Sequence, residues 1–135
     1  MPRFKYNSTK YKQWRDYVYH RDFFHCQLCG TGGKINAHHI KRKADFPSLV
    51  YNKNNGITLC EDCHSVATGR ETIFESLFTK IVSKKLSLAF IQLFFSNIVV
   101  NYPNIIQEFK TLDKWLVIPV ILVKKIKQAQ IKSKH

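Results

Sequence analysis

The spacing of apolar residues changes along the chain, and the changes mark its elements. Between Thr9 and Arg21, Tyr11, Trp14 and Val18 stand at i, i+3 and i+7 with Lys10, Lys12 and Arg15 among them, which predicts an amphipathic helix with a basic outer face. Residues 1–8 before it are polar and read as loosely held. From Lys34 to Ile40 the period falls to two: Ile35 and Ala37 alternate with polar neighbours, as in a short strand. Residues 41–53 form a basic loop around Phe46-Pro47, and Asn54-Asn55-Gly56 predicts a turn into a second strand, Ile57-Thr58-Leu59. A helix is expected to begin near Asp62, to carry His64 and to stop at Gly69.

Beyond Gly69 the pattern becomes helical throughout. Thr72-Ile73-Phe74-Glu75 fits a capping box, followed by an apolar stripe of Ile73, Leu77, Phe78, Ile81 and Val82. Ser87 is placed to cap a helix that Asn101-Tyr102-Pro103 ends; Asn104 is placed to cap the next, with Ile105, Phe109, Leu112 and Leu116 on one face. Pro119 interrupts the apolar run Trp115 to Val123, and a Lys-rich tail follows. The chain therefore reads as α+β, with one domain over residues 1–85 and a mainly helical, apolar and basic extension over 86–135. Leu86 to Val100 is apolar almost all round, yet Gln92, Ser96 and Asn97 break it and it is short for a membrane span. A buried helix or a homodimer interface is the preferred reading over membrane contact.

Composition narrows the function. Lys and Arg total 22 against 9 acidic residues, a net charge of +13 on 135 residues, and such a surplus favours a polyanionic partner, DNA above all. The abundance of apolar residues excludes disorder over most of the chain. Met1 to Tyr6 lacks the apolar run of a secretory signal, which implies a cytoplasmic, reducing compartment where cysteines bind metal more often than they pair.

The four cysteines form two CxxC pairs, Cys26/Cys29 and Cys60/Cys63, about thirty residues apart. Each pair closes a turn that points two sulfurs inward, and two such turns suit one structural zinc. Many unrelated zinc modules share this spacing, so it does not by itself name a function. The histidines around the knuckles add to it: His38 and His39 are adjacent on the first strand, and His64 follows Cys63 directly, with Asn55 ahead of the second strand. A strand end, a turn and a helix can bring such side chains to one point. Alternatively, His64 or His38 replaces a cysteine on the zinc.

With these residues in order, the stretch resembles the HNH nuclease family in its cysteine-containing form: WRDYVYHRDFFHCQLCG, then INAHHI, then NNGITLCEDCHS, over residues 9–82. The resemblance implies a ββα-metal core stapled by the four-cysteine zinc, and hydrolysis of phosphodiester bonds. It assigns His39 as general base, His38 and His64 as ligands of a catalytic divalent cation, and Asn55 as the central Asn that holds the loop or orients His39. Thr68 stands where some relatives carry a further histidine ligand, which leans the site towards oxygen-tolerant ions such as Mg2+ or Mn2+. Free-standing small proteins of this kind resemble those of phages and mobile elements.

Arg15, Arg21, Lys41, Arg42, Lys43 and Arg70 flank these motifs and are the expected phosphate contacts. Arg21 has a second reading, as a structural pair with Asp22 bracing the first knuckle. The competing function is a non-catalytic, zinc-stabilised module that binds nucleic acid.

Overall fold

The computed structural model describes residues 4–133. The first helix, α1, spans Thr9–Arg21 as the periodicity predicts, and the Ser8 hydroxyl caps it by accepting from the Tyr11 N–H at 3.2 Å. Its buried face is Tyr11, Trp14 and Val18. Two strands, β1 (Ile35–His39) and β2 (Gly56–Cys60), form an antiparallel sheet in which His38 pairs with Ile57 and His39 with Gly56. Helix α1 packs on one face of this sheet. The other face meets α2 (Glu61–Ala67) and α3 (Glu71–Ser83), reached through His64 and Phe78. The protein is thus α+β.

Gly56 is a glycine for reasons of space. Its backbone is extended, and the turn before it is a short 3-10 segment, Lys53–Asn55, capped by Asn52. A Cβ on Gly56 would stand 2.6 Å from side-chain carbons of both Trp14 and Val18.

Several expectations are corrected. The leading segment is not loose from Phe4 onward: Phe4 packs edge-on to Tyr11 and Tyr6. Thr72 caps nothing, because α3 starts one residue earlier, and the Glu71 carboxylate accepts the Gly69 N–H at 3.2 Å. The buried stripe of α3 is accordingly Phe74, Leu77, Phe78 and Ile81, with Ile73 and Val82 at its margins. Ser87 does cap α4 (Leu88–Asn101). Pro103 opens α5 (Pro103–Thr111) instead of merely ending α4, so Asn104 lies inside that helix. A proline at the first helical position loses no intrahelical hydrogen bond. The same reason lets Pro119 sit in the first turn of α6 (Val117–Ser133) without breaking it. Leu116 leaves the predicted face and is 81% exposed, because the chain turns at Asp113 with φ 57°.

One core cluster runs from Cys26 and Leu28 through Ile57, Leu59 and Phe78 to Ile98, Phe109 and Leu122. Phe74 is its joint, with ring contacts to Phe78 (5.4 Å), Phe94 (5.9 Å) and Phe109 (6.3 Å). Two polar links reinforce it: Arg70 with Glu108, and Lys125 donating to the Gln27 Oε1 at 2.6 Å. The α4 helix turns Ile91, Phe94 and Ile98 inward, while Leu93, Val99 and Val100 face outward. Among the described residues no single helix is long and apolar enough to cross a membrane. The pair α4 and α5 meets that test only together, bent by 102°.

Candidate metal centres and active site

Four thiols meet beside the sheet. Cys26 and Cys29 lie on the loop after α1, Cys60 ends β2, and Cys63 lies in the first turn of α2. All four are buried, and their sulfurs lie within 4.8 Å of one another, with Cys29 and Cys60 3.6 Å apart. Ligands about 2.3 Å from a tetrahedral ion stand roughly 3.8 Å from each other, so the cage has the size a zinc ion requires. The Cys29 and Cys63 N–H groups donate to the sulfurs of Cys26 and Cys60, at 3.5 and 3.4 Å, as expected around thiolates. Protons are contested inside the cage: hydrogen bonding among the sulfurs raises the pKa of Cys26 and Cys63, and lowers that of Cys29 and of Cys60, the last to about 6. Four buried sulfurs that cannot all carry charge unaided fit a thiophilic dication.

Along β1 the pleat sends the adjacent histidines to opposite faces. His38 turns towards α2 and α3, is 4% exposed, and packs edge-on to His64 (ring centroids 5.4 Å) and to Phe78 (5.7 Å). Its Nε2 is buried and has no hydrogen-bond partner among the described residues. Burial first, then the neighbouring His64 and His39, push its pKa down to about 3, so the ring is neutral with a lone pair to offer. His64 is half-buried, and burial lowers its pKa while Glu71 offsets part of that. An unsatisfied buried nitrogen beside a second neutral imidazole fits a divalent cation. Thr68 contributes nothing visible, since its hydroxyl donates to the His64 carbonyl at 2.6 Å.

His39 turns towards α1. Its ring lies flat on the Trp14 indole (4.2 Å, 7° between planes), with Phe4 edge-on at 6.1 Å. Its Nε2 lies 3.0 Å from the Val50 carbonyl oxygen. A carbonyl only accepts, so Nε2 carries the proton and Nδ1 of the neutral ring keeps its lone pair. Burial lowers the His39 pKa; the Val50 bond opposes this, and Lys43 adds to it.

Asn55 is buried and binds the loop after β1 at both ends. Its Oδ1 accepts from the Lys41 N–H at 2.8 Å, and its Nδ2 donates to the carbonyls of Lys41 and Leu49, each at 3.2 Å. Leu49 adjoins Val50, so Asn55 fixes the carbonyl that fixes His39. Neither the Trp14 platform nor the Val50 acceptor is readable from motifs. Trp14 is recognisable only as the residue at the middle of the buried face of α1, and Val50 acts through its backbone.

The basic residues divide. Arg21 is committed to structure: it grips the buried Asp22 carboxylate with two nitrogens at 2.9 Å and donates to the carbonyls of Lys53 and Gly56. Asp22 also accepts the Thr58 N–H at 2.9 Å, tying the first knuckle to β2. Arg70 bonds the Val66 carbonyl and pairs with Glu108. Arg15 and Arg42 pair locally with Asp16 and Asp45. Lys41 reaches Glu75 at 3.4 Å, and Lys43 sits over the rings of Phe4 and Tyr6 near His39.

Residues 26–70 match the family model described as HNH endonuclease. No curated protein and no solved structure matches the chain. The matched stretch, a third of the chain, contains the four cysteines, both strands, His38, His39, Asn55 and His64, so the likeness to HNH endonucleases falls on the residues that form both candidate centres.

Proposed function

We propose that the protein is a metal-dependent DNA endonuclease that nicks or cleaves by hydrolysis of phosphodiester bonds. The observation that carries the reading is the buried, unpartnered Nε2 of His38 beside the neutral ring of His64. A scaffold gains nothing from leaving such an atom unsatisfied, whereas a metal ligand requires it.

His38 and His64 would hold Mg2+ or Mn2+, which supplies Lewis-acid stabilisation of charge developing on the phosphate oxygens. His39 does the proton work. Stacking on Trp14 and the bond to Val50 fix its ring, so the free Nδ1 takes a proton from water as the oxygen attacks phosphorus. Asn55 is a positioning residue that acts through the loop. The four cysteines would hold a structural zinc. Lys41, Lys43, Arg42 and Arg15 remain as phosphate contacts. Arg21 and Arg70, engaged within the protein, serve the fold.

One observation favours the other reading, a non-catalytic zinc module: the candidate cation has only two imidazoles, with Thr68 bound elsewhere. A plasmid-nicking assay decides. Nicking is expected to require added Mg2+ or Mn2+ and to vanish in EDTA. His39→Ala should lower its rate by about 10^2 to 10^4 while leaving fold and DNA affinity close to wild type. His38→Ala should recover part of its activity as the metal concentration rises, because it loses a ligand and not the base. No nicking by the wild-type protein, or full activity in His39→Ala, would overturn the proposal.

A further inference from the structure

A cleft of about 300 Å³ lies between the knuckle loop, the end of α3 and helix α6. Two of the four non-glycine residues with left-handed backbone among the described residues, Phe23 (φ 54°) and Lys84 (φ 60°), line it. Such backbone is costly for residues with a Cβ, and it persists where the surroundings enforce it. Around Phe23 they do. The Phe23 N–H donates to the His20 carbonyl at 3.2 Å, and His25 Nδ1 donates to the Phe23 carbonyl at 2.6 Å. The effect is to hold an aromatic ring out in solvent, 75% exposed, at the mouth of a cavity.

The chemistry of the walls is asymmetric. Asp22 is the one acidic residue among the lining residues, and Arg21 already binds it. Lys84 and Lys125 remain as cations. Lys125 is hydrogen-bonded to the neutral Gln27 amide and takes part in no ion pair among the described residues. Ile81, Leu86 and Ile126 supply an apolar floor. An exposed ring, an apolar floor and two cations match a ligand with a flat face and an anionic group. The volume is at the lower end of small-ligand sites, enough for one nucleotide.

We propose that this cleft takes one nucleotide of a single-stranded nucleic-acid segment, with its base on Phe23 and its phosphate between Lys84 and Lys125. The choice of nucleic acid rests on the endonuclease reading above. Single strands are specified because the face of a base is free to stack on a protein ring only when it has left the duplex. The chain would then grip an unpaired flank of its substrate between the knuckle loop, the end of α3 and α6 while the histidines address the backbone.

The test is binding of a fluorescein-labelled dT12 to the full, zinc-loaded chain by anisotropy, without added Mg2+ or Mn2+. Phe23→Gly and Lys84→Gly remove each side chain and put glycine where the backbone already suits it, so both variants should melt at or above the wild-type temperature. Phe23→Gly should weaken dT12 binding about tenfold or more, and Phe23→Tyr should retain it. Lys84→Gly should lower the salt slope of log K by about 0.7. Folded Phe23→Gly protein that binds dT12 as tightly as wild type would overturn the proposal. Because the readout is binding, a protein that nicks nothing but loses dT12 through Phe23→Gly would retain this site and lose the nuclease reading.

Discussion

The four-cysteine cage and the histidine site share two short strands and are built on opposite plans. The cage is saturated: four buried sulfurs within 4.8 Å of one another, each pair supported by a backbone N–H. The histidine site is incomplete: among the described residues one buried nitrogen lacks a hydrogen-bond partner, and one imidazole is held by a carbonyl and a stacked indole. Closed sites of this kind stabilise folds, while open ones leave room for substrate and solvent. The comparison teaches that one sheet can carry both, because the first draws its sulfurs from the strand end and flanking turns, and the second from β1 together with His64 of α2. Disturbing the cage should therefore cost structure, and disturbing the histidine site should cost chemistry.

The largest expected effect is on the cage. Cys60→Ser removes a ligand that also caps α2, and structural zinc contributes on the order of 10 kcal/mol of apparent folding free energy in small modules. Insoluble or unfolded protein is expected by circular dichroism, and a folded Cys60→Ser variant with one zinc per chain would erase the contrast. Next comes Asn55, which bridges the two plans. Asn55→Ala strips partners from the Lys41 N–H and from the Lys41 and Leu49 carbonyls, a loss of about 3 kcal/mol by denaturant unfolding. Nicking should fall with it, since the Val50 carbonyl is no longer held; unchanged stability would show that the loop does not depend on this residue.

Acid should distinguish the histidine site more gently. The folded His38 titrates near 3 and the unfolded residue near 6.5, so between those values the unfolded chain binds more protons. Stability from this group is complete above about 6.5 and is lost as pH falls towards 3, with a slope of about 1.4 kcal/mol per pH unit. Unfolding free energies of wild type and His38→Asn should diverge by about that slope between pH 5.5 and 4.5, and parallel curves would place the His38 ring in water. Smallest is the surface effect: Lys41, Arg42 and Lys43 changed together to Ala should flatten the salt dependence of DNA binding by up to about one unit of slope per lost phosphate contact. An identical slope would leave the loop as solvated surface.

Much of the cage was legible and less of the histidine site. Two CxxC pairs announce themselves, because the ligands are side chains at fixed spacing. Helix α1 was equally legible, since Tyr11, Trp14 and Val18 are the residues it buries. His38, His39, Asn55 and His64 could be picked out as residues, but not the contacts that give them distinct environments. Those contacts come from the Val50 backbone and the Trp14 ring, which converge only through tertiary packing. In the extension, prolines misled: Pro103 reads as a terminator and Pro119 as an interruption, and both sit instead in first turns, where a missing N–H is harmless. Nor does any motif announce left-handed backbone at Phe23 and Phe24, which the surrounding hydrogen bonds impose.

Gly56 carries a further consequence. A strand that slips by one residue delivers every side chain to the wrong face, and here the error would exchange His38 with His39. Gly56 lies directly under Trp14 and Val18, in a slot too shallow for a single carbon. A slip of β2 beneath α1 would push a residue with a side chain, Asn55 or Ile57, into that slot. The glycine thus works as a key that seats β2 against α1 in one alignment, and through its pairing with His39 it sets where that ring meets the Trp14 indole.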